Sequence, residues 1–431
     1  MSAAASSRSL GYAEVLRENP DFRRVWIGQV GSLLGDWFNQ VAVLSLLLRL
    51  TGSGSAAGIF YVLQMVPVFL ISPIAGRVVD HLPRKMVMVA ADLSRAAVVL
   101  AFLFVDRPER IWVVYVATFV QMSISAFFEP ARNAVTPRLV RPKDLVGANA
   151  LTATTWSVML AAGAAIGGLI TALLGERTAF LLNSGSYLWS AIFVLKAVIP
   201  PIESHSHPSE RGFVAGIRDA LRTPSLLPIL CVKGLVGFSG GFGLLLAIWG
   251  DRVFRVGTTA AGGIGVLFAA RGIGTGIGPI VARRWGSATG PGARRTIAWG
   301  FLFGATFLAA ASLARALPLA FLLLVGSGIG MAVPWVFSTV VMQQEVPDRL
   351  RGRVFAADQA LVTLTISISM IATGRALDHP RWTPRGVGVG LAVVYLAALG
   401  VYELLLLRER RRARRTEGGA EPPLPGGPRG A

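Results

Sequence analysis

The chain has 431 residues, of which 53% are hydrophobic and only 15% are charged. Soluble globular proteins carry about 25% charged residues, so this composition excludes an ordinary cytosolic protein and favours one polytopic membrane domain. A single cysteine, Cys231, excludes an intramolecular disulfide and a cysteine-cluster metal site. The net charge of +19 raises the question of nucleic-acid binding, which the positions of the charges answer below.

Twelve apolar runs are long enough to cross the hydrocarbon core of a bilayer. We number them segments 1 to 12, and they cover 25–49, 57–76, 86–105, 111–130, 150–173, 178–198, 226–250, 259–282, 297–314, 317–341, 354–376 and 387–407. Segment 1 is too long for a signal peptide and follows a polar stretch. The sequence therefore predicts an all-α membrane protein with twelve transmembrane helices.

The loop charges predict the orientation. With both termini placed in the cytoplasm, the short loops on that side carry most of the Lys and Arg residues, which is the usual bias of cytoplasmic loops. This bias accounts for the positive charge without any nucleic-acid partner. The basic residues are mostly Arg, which favours a GC-rich bacterium and hence a bacterial plasma (inner) membrane.

An internal repeat divides the chain into two halves. Residues 73–77, Pro-Ile-Ala-Gly-Arg at the end of segment 2, recur as Pro-Ile-Val-Ala-Arg at 279–283, the end of segment 8. Six helices per half give both halves the same orientation, which predicts parallel repeats with a substrate site between them near the midplane. The predicted regions are a cytoplasmic N-tail (1–24), two six-helix halves (25–198 and 226–407), a cytoplasmic linker (199–225) and a basic, then disordered tail (408–431).

The loop between segments 2 and 3 resembles motif A of the major facilitator superfamily, Gly-x-x-x-Asp-Arg-x-Gly-Arg-Lys. The matching residues are Gly76, Asp80, Arg84 and Lys85, whereas His81 and Pro83 depart from the motif; Asp92 and Arg95 follow on segment 3. The resemblance implies the two-half major facilitator fold and a cytoplasmic gate, in which a loop carboxylate pairs with Arg and with a helix N-terminus only when that gate is closed. An ordinary basic cytoplasmic loop is the alternative.

Two further stretches narrow the resemblance. Residues 19–26 (Asn-Pro-Asp-Phe-Arg-Arg-Val-Trp) and 343–355 are similar to the drug-exporting branch that includes macrolide efflux and enterobactin exporter proteins. Residues 163–168 of segment 5 resemble the antiporter motif of drug exporters, with Ala164 in place of its Pro. The resemblance implies efflux of amphipathic small molecules of the drug, macrolide or siderophore class, and antiport.

Polar residues inside the predicted membrane segments are the candidate substrate or proton pathway. They are Asp36, Gln40, Gln121, Lys233 and Arg271. Because an unpaired charge in hydrocarbon is costly, Asp36 and Arg271 are expected to face one cavity and to pair in one state; separate partners are the alternative. Lys233 alternatively extends to the cytoplasmic surface, and Gln121 alternatively bonds between helices.

Small residues predict close helix contacts. Gly163 and Gly167 of segment 5 and Gly272 and Gly276 of segment 8 recur at four-residue spacing, which lets backbones approach closely. We expect these two helices to meet between the halves, with packing inside each half as the alternative.

Absent motifs restrict the energy source. No phosphate-binding Gly-Lys-Ser/Thr loop exists, and no catalytic constellation lies at one membrane face, so we expect neither an enzyme nor a cofactor or metal. The sequence predicts a monomeric secondary transporter whose partners are the bilayer, a small-molecule substrate and protons, with Asp36 binding the proton. A nutrient importer or facilitator, and a non-transporting receptor or scaffold, are the alternatives.

Overall fold

A computed structural model describes residues 12–200, 227–285, 290–346 and 348–417. Most of the predicted linker lies outside these residues. The described parts of the predicted tails, 12–24 and 408–417, are helical except at Asn19. The helices follow in chain order as α1 (Tyr12–Glu18), α2 (Pro20–Thr51), α3 (Gly54–His81), α4 (Arg84–Val99), α5 (Ile111–Leu139), α6 (Leu145–Lys196), α7 (Leu227–Gly237), α8 (Phe242–Arg252), α9 (Ala260–Trp285), α10 (Gly290–Leu313), α11 (Leu317–Glu345), α12 (Asp348–Asp378) and α13 (Pro384–Glu417).

The prediction of an all-α membrane protein is confirmed. Within the described residues, 11 helical stretches are long and apolar enough to cross a membrane. Segments 1 to 4 and 8 to 12 each fall in one such stretch. Segments 5 and 6 share one stretch of 55 residues, Pro142–Lys196, and segment 7 is divided between α7 and α8. The twelve predicted crossings therefore hold only if α6 crosses twice.

Helix α6 is a helical hairpin. Its 52 residues would extend about 78 Å if straight, more than twice the thickness of hydrocarbon. The backbone turns at Gly175, where φ is 83° and ψ is 165°, a conformation that glycine adopts at little cost. Thr155 accepts a hydrogen bond of 2.9 Å from Trp26, and Trp189 donates one of 3.4 Å to the carbonyl of Ile27. Both arms of α6 thus lie beside the start of α2, so they run antiparallel.

Two helix pairs make the most extensive contacts between the first half (12–200) and the second half (227–417). Helix α6 packs on α9, and α3 packs on α12. Glycines permit the first contact, because a Cβ at Gly265 would lie 2.9 Å from the Cα of Gly168, and one at Gly272 would lie 2.6 Å from the Cα of Ala161. In lipid, helices associate through close packing of this kind rather than through a hydrophobic effect.

The halves are closed at one end and separated at the other. We call the end that carries Gly175 the hairpin end, and the end that carries the loop at Leu82 and Pro83 the motif end. A Cβ at Gly58 of α3 would lie 2.9 Å from the carbonyl oxygen of Met370 on α12. Gly76 lies 18 residues further along α3, about five helical turns, and therefore on the same face. A Cβ at Gly76 would have no neighbouring atom within 4 Å.

Candidate functional site

A buried polar cluster in the first half contains Asp36. Tyr187 of α6 donates a short hydrogen bond to the Asp36 carboxylate of α2. The Tyr187 hydroxyl accepts a hydrogen bond of 2.8 Å from the Gln121 amide of α5. Helices α2, α5 and α6 therefore meet at one hydrogen-bonded chain inside the membrane.

Arg95 extends this cluster to α4. Its guanidinium lies 4.4 Å from the ring centre of Tyr187 and 4.5 Å from that of Phe128, and it forms an ion pair with Asp92. Both members of the ion pair are buried. The sequence analysis assigned Asp92 and Arg95 to the cytoplasmic gate motif, whereas the structure brings them together with Asp36 in the membrane interior.

The second half has a comparable buried ion pair. Lys233 of α7 lies 2.6 Å from the carboxylate of Asp358 on α12, and both side chains are almost fully buried. The Lys233 ammonium also lies 5.5 Å and 5.8 Å from the ring centres of Trp335 and Phe355. Extension of Lys233 to the cytoplasmic surface, one of the two predicted alternatives, is therefore wrong for this state.

Gln40 and Arg271 lie apart from the Asp36 cluster. Gln40 accepts a hydrogen bond of 2.5 Å from Gln64 of α3. The Arg271 guanidinium lies 5.5 Å from the ring centre of Phe242, and no carboxylate of the described residues pairs with it. Asp36 and Arg271 therefore have separate partners in this state.

The motif residues are held within the first half. Arg84 donates to the carbonyl of Ala134 at 3.2 Å, and Lys85 donates to the carbonyl of Ala197 at 2.9 Å. Asp80 is exposed. This arrangement is the one expected where the motif end is open.

The hairpin end carries a latch that the sequence analysis did not identify. Asp378, at the end of α12, accepts hydrogen bonds from the Ser53 hydroxyl at 2.8 Å and from the backbone N–H groups of Gly54 and Ser55 at 2.5 and 2.9 Å. A carboxylate of the second half thus caps the N-terminus of α3 in the first half. Arg252 adds a short hydrogen bond to the carbonyl of Gly52.

The glycine prediction needs a correction. A Cβ at Gly163 or Gly167 would lie 2.9 Å from Trp37 or Phe38 of α2, inside the first half, so these two glycines do not form the contact between halves. Gly272 lies against Ala161 of α6, and a Cβ at Gly276 would lie 3.5 Å from Ser157. Segments 5 and 8 do meet between the halves, through Gly168, Gly265 and Gly272. The prediction was wrong for Gly163 and Gly167 because both faces of that arm of α6 carry small residues, and four-residue spacing does not say which neighbour each face meets.

Three partner residues carried weak sequence signals. Asp358 was a carboxylate in the same half as Lys233, so charge pairing inside one half was the usable signal. Asp378 stands at a predicted helix end, where an acidic residue is disfavoured by the helix dipole unless it has another partner. Tyr187 is uncharged in an apolar run, and nothing in its pattern indicates contact with Asp36. In the part of the chain that the structure describes, no cluster of His, Cys, Asp and Glu could hold a metal ion.

Comparisons with known proteins agree with this geometry. The sequence profile of the family described as "Transmembrane secretion effector" matches residues 15–398. The chain is 25% identical to BacE of Bacillus subtilis, named as a candidate bacilysin exporter, over 90% of this chain and 94% of that protein. It is 25% identical to macrolide efflux protein A of Streptococcus pyogenes, over 46% of this chain and 50% of that protein.

Solved transporter structures share the fold. A bacterial homologue of the iron transporter ferroportin in its inward-facing state superposes with a TM-score of 0.68, at 16% identity, over 90% of this chain and 98% of that chain. The same comparison with the outward-facing state gives a TM-score of 0.59 at 17% identity and the same coverage.

Proposed function

Since the chain belongs to the transmembrane secretion effector family of the major facilitator superfamily, and is a multi-pass membrane transporter rather than an enzyme, we propose that it exports amphipathic small molecules in exchange for protons. In this proposal the protein is a monomer in a bacterial plasma membrane, with both termini in the cytoplasm. The excess of Lys and Arg in the cytoplasmic loops supports this orientation. The names of the related exporters support the outward direction.

The single observation that supports proton coupling is the Asp36 cluster. Asp36, Asp92 and Arg95 lie in one network with Tyr187. When Asp36 is ionised, two carboxylates stand against one guanidinium, and a proton on Asp36 makes the cluster neutral. A buried cluster without net charge is far less costly in a low-dielectric medium. Protonation therefore changes the free energy of the site at which α2, α4, α5 and α6 meet.

Alternating access supplies the transport cycle. The halves are latched at the hairpin end by Asp378 and separated at the motif end, so the substrate enters from the motif end in this state. Closure of the motif end would bring the Asp80 carboxylate towards the second half while the hairpin end opens. One proton charge crossing 100 mV supplies about 2.3 kcal/mol for this cycle.

The test uses purified protein in proteoliposomes with an imposed pH gradient and an uncoupler as control. We expect proton-driven accumulation of at least one fluorescent amphipathic dye from a panel of anionic, neutral and cationic dyes, abolished by Asp36→Asn. The matched variant Asp106→Asn changes an exposed carboxylate that pairs with its sequence neighbours Arg107 and Arg110, and it should transport normally. Dye accumulation by Asp36→Asn against the gradient would remove Asp36 as the coupling site. Proton-driven movement of the dyes in the opposite direction would indicate an importer. No flux of any dye in the panel would indicate a scaffold.

A further inference from the structure

Segment 7 is broken inside the membrane. Helix α7 ends at Gly237 and α8 begins at Phe242, although the whole stretch Leu227–Arg252 is apolar enough to span. Ser369 of α12 satisfies the broken backbone, because its hydroxyl accepts from the Gly241 N–H at 3.0 Å and donates to the carbonyl of Phe238 at 2.7 Å. The N-terminus of α8 therefore lies within the protein interior, where non-helical backbone is tolerated only with such partners.

Two hydrogen-bond donors border the first turn of α8. A Cβ at Gly243 would lie 3.2 Å from the Nη1 atom of Arg271 and 3.3 Å from the hydroxyl oxygen of Tyr61. Arg271 comes from α9 of the second half and Tyr61 from α3 of the first half. A side chain at position 243 would crowd both groups, so the glycine keeps the space between them free.

Tyr61 and Arg271 lack a satisfying partner in the described part of the chain. Tyr61 is only 7% exposed, and its hydroxyl has no hydrogen-bond partner among the described residues. Arg271 has the Phe242 ring as a neighbour but no carboxylate in the described part of the chain. A buried hydroxyl and a guanidinium left in this way are costly unless a ligand pairs with them.

Arg271 and Tyr61 share one preference. A guanidinium and a hydroxyl donor each stabilise negative charge. The Phe242 N–H at the start of α8 is already bonded to the carbonyl of Ser239 at 2.9 Å, so the two side chains are the donors left for a ligand.

We propose that Arg271 and Tyr61, beside the first turn of α8, form an anion site that binds the carboxylate, sulfonate or phosphate of the transported amphipathic molecule. The inference rests on the proposed function and names its substrate class: amphipathic anions. Because Tyr61 and Arg271 belong to different halves, the bound anion bridges them.

The experiment measures binding to the purified full chain in neutral detergent, without a gradient. The probes are dansyl-glycine, dansyl-leucine and dansyl-phenylalanine, each compared with its uncharged amide by fluorescence titration. We expect at least one carboxylate to bind saturably and at least about tenfold more tightly than its amide, and Arg271→Gln to remove that preference. Tyr61→Phe should reduce the preference severalfold, and Arg271→Lys should restore part of it. Arg255→Gln, which removes an exposed guanidinium paired with Asp251, should bind as the unaltered protein does.

Two results would overturn the anion site. One is equal affinity for every dansyl acid and its amide, and the other is an equal loss of affinity for the acid and the amide in Arg271→Gln. If Arg271→Gln does not fold, Tyr61→Phe and Gly243→Ala give the same comparison with smaller changes. Competition distinguishes the source of the anion: displacement by phosphatidylglycerol but not by phosphatidylcholine indicates a lipid headgroup, and displacement by neither indicates a soluble solute. Proton-driven export by a protein without acid preference would overturn this inference alone, and acid preference without export would overturn the proposed function alone.

Discussion

Two ion pairs of the described residues have both members buried, and each lies inside one half of the molecule. Lys233 and Asp358 join α7 to α12, whereas Asp92 and Arg95 are three residues apart on α4 and reach α6 through the Tyr187 ring. Each guanidinium or ammonium also lies near two aromatic rings, which stabilises a cation in a dry environment. Arg271 departs from this pattern, and for that reason it is the charge available to a ligand.

The Lys233–Asp358 pair gives the first prediction. Lys233→Met leaves Asp358 buried without a counter-charge, and we expect a loss of roughly 3–5 kcal/mol of stability or a misfolded protein. The double variant Lys233→Met with Asp358→Leu should recover most of that loss, because an apolar pair of similar volume avoids the desolvation cost. Thermal unfolding in detergent measures both. A single variant as stable as the double variant would show that the ion pair is not coupled.

At the scale of single residues, the sequence predicted which side chains matter better than it predicted their partners. Asp36, Gln121 and Lys233 were all identified, because a polar residue in an apolar run is conspicuous at any depth. The contact of Asp36 with Tyr187 depends on how α2 and α6 are rotated about their axes. That rotation is fixed by packing against several other helices, and the spacing of residues along one helix does not contain it.

Helices that deviate from simple spans position the functional groups. The turn at Gly175 folds α6 back so that both of its arms lie beside α2, which places Tyr187 next to Asp36. The break between α7 and α8 places a helix N-terminus beside Arg271. Hydropathy predicts how many residues cross a membrane, but a broken helix has the same hydropathy as a continuous one. The pair Gly240 and Gly241 was the available signal for the break.

The contact of α6 with α9 gives the second prediction. Gly168→Ala would place a methyl group 2.8 Å from the Ala261 carbonyl oxygen and from the Gly265 Cα. Backbone atoms cannot move aside cheaply, so we expect a loss of roughly 1–3 kcal/mol in thermal unfolding and slower transport. Gly185→Ala on the same helix, where nothing lies within 4 Å, should be neutral or slightly stabilising. Equal effects of the two variants would contradict close packing at this crossing.

The third prediction concerns the latch at the hairpin end. Asp378→Asn keeps the shape but removes the negative charge that accepts three hydrogen bonds at the N-terminus of α3. We expect the population to shift towards the state that is open at the hairpin end. Spin labels at Ile74, near the motif end of α3, and at Leu364, in the middle of α12, both exposed, report the shift as a shorter distance in a Cys231→Ser background. An unchanged distance distribution would show that Asp378 does not bias the two states.

For the whole molecule, the two latches are arranged as opposites. At the hairpin end a carboxylate of the second half caps a helix of the first half, and at the motif end the exposed Asp80 of the first half is available for a comparable contact. A rocking motion about the α6–α9 and α3–α12 contacts would exchange one for the other. The overall fold was predictable, because apolar length, loop charge and the repeated motif all report on architecture. The state of the molecule was not, because a single sequence encodes both states.

Asp80→Asn is the fourth prediction. In this state Asp80 is exposed, so the thermal stability of the open form should not change measurably. Closure of the motif end requires a charge-assisted contact that the neutral amide makes less well, so transport should fall while membrane insertion stays normal. Transport at the rate of the unaltered protein would remove Asp80 from the gate.

The fifth prediction separates the closing motion from the stability of the open form. The space around Gly76 is free for 4 Å, so Gly76→Leu should fold and melt as the unaltered protein does. Gly58 on the same face of α3 lies in direct contact with α12, and rocking of the halves would bring Gly76 into the corresponding position. A leucine there would prevent the approach, because close helix contact needs small residues. We therefore expect transport to be lost and the Ile74–Leu364 spin-label distance to remain long when substrate and a proton gradient are applied. Gly400→Leu on α13, which also has open space around it, should transport normally. If Gly76→Leu transports at the normal rate, α3 does not approach α12 at the motif end during the cycle.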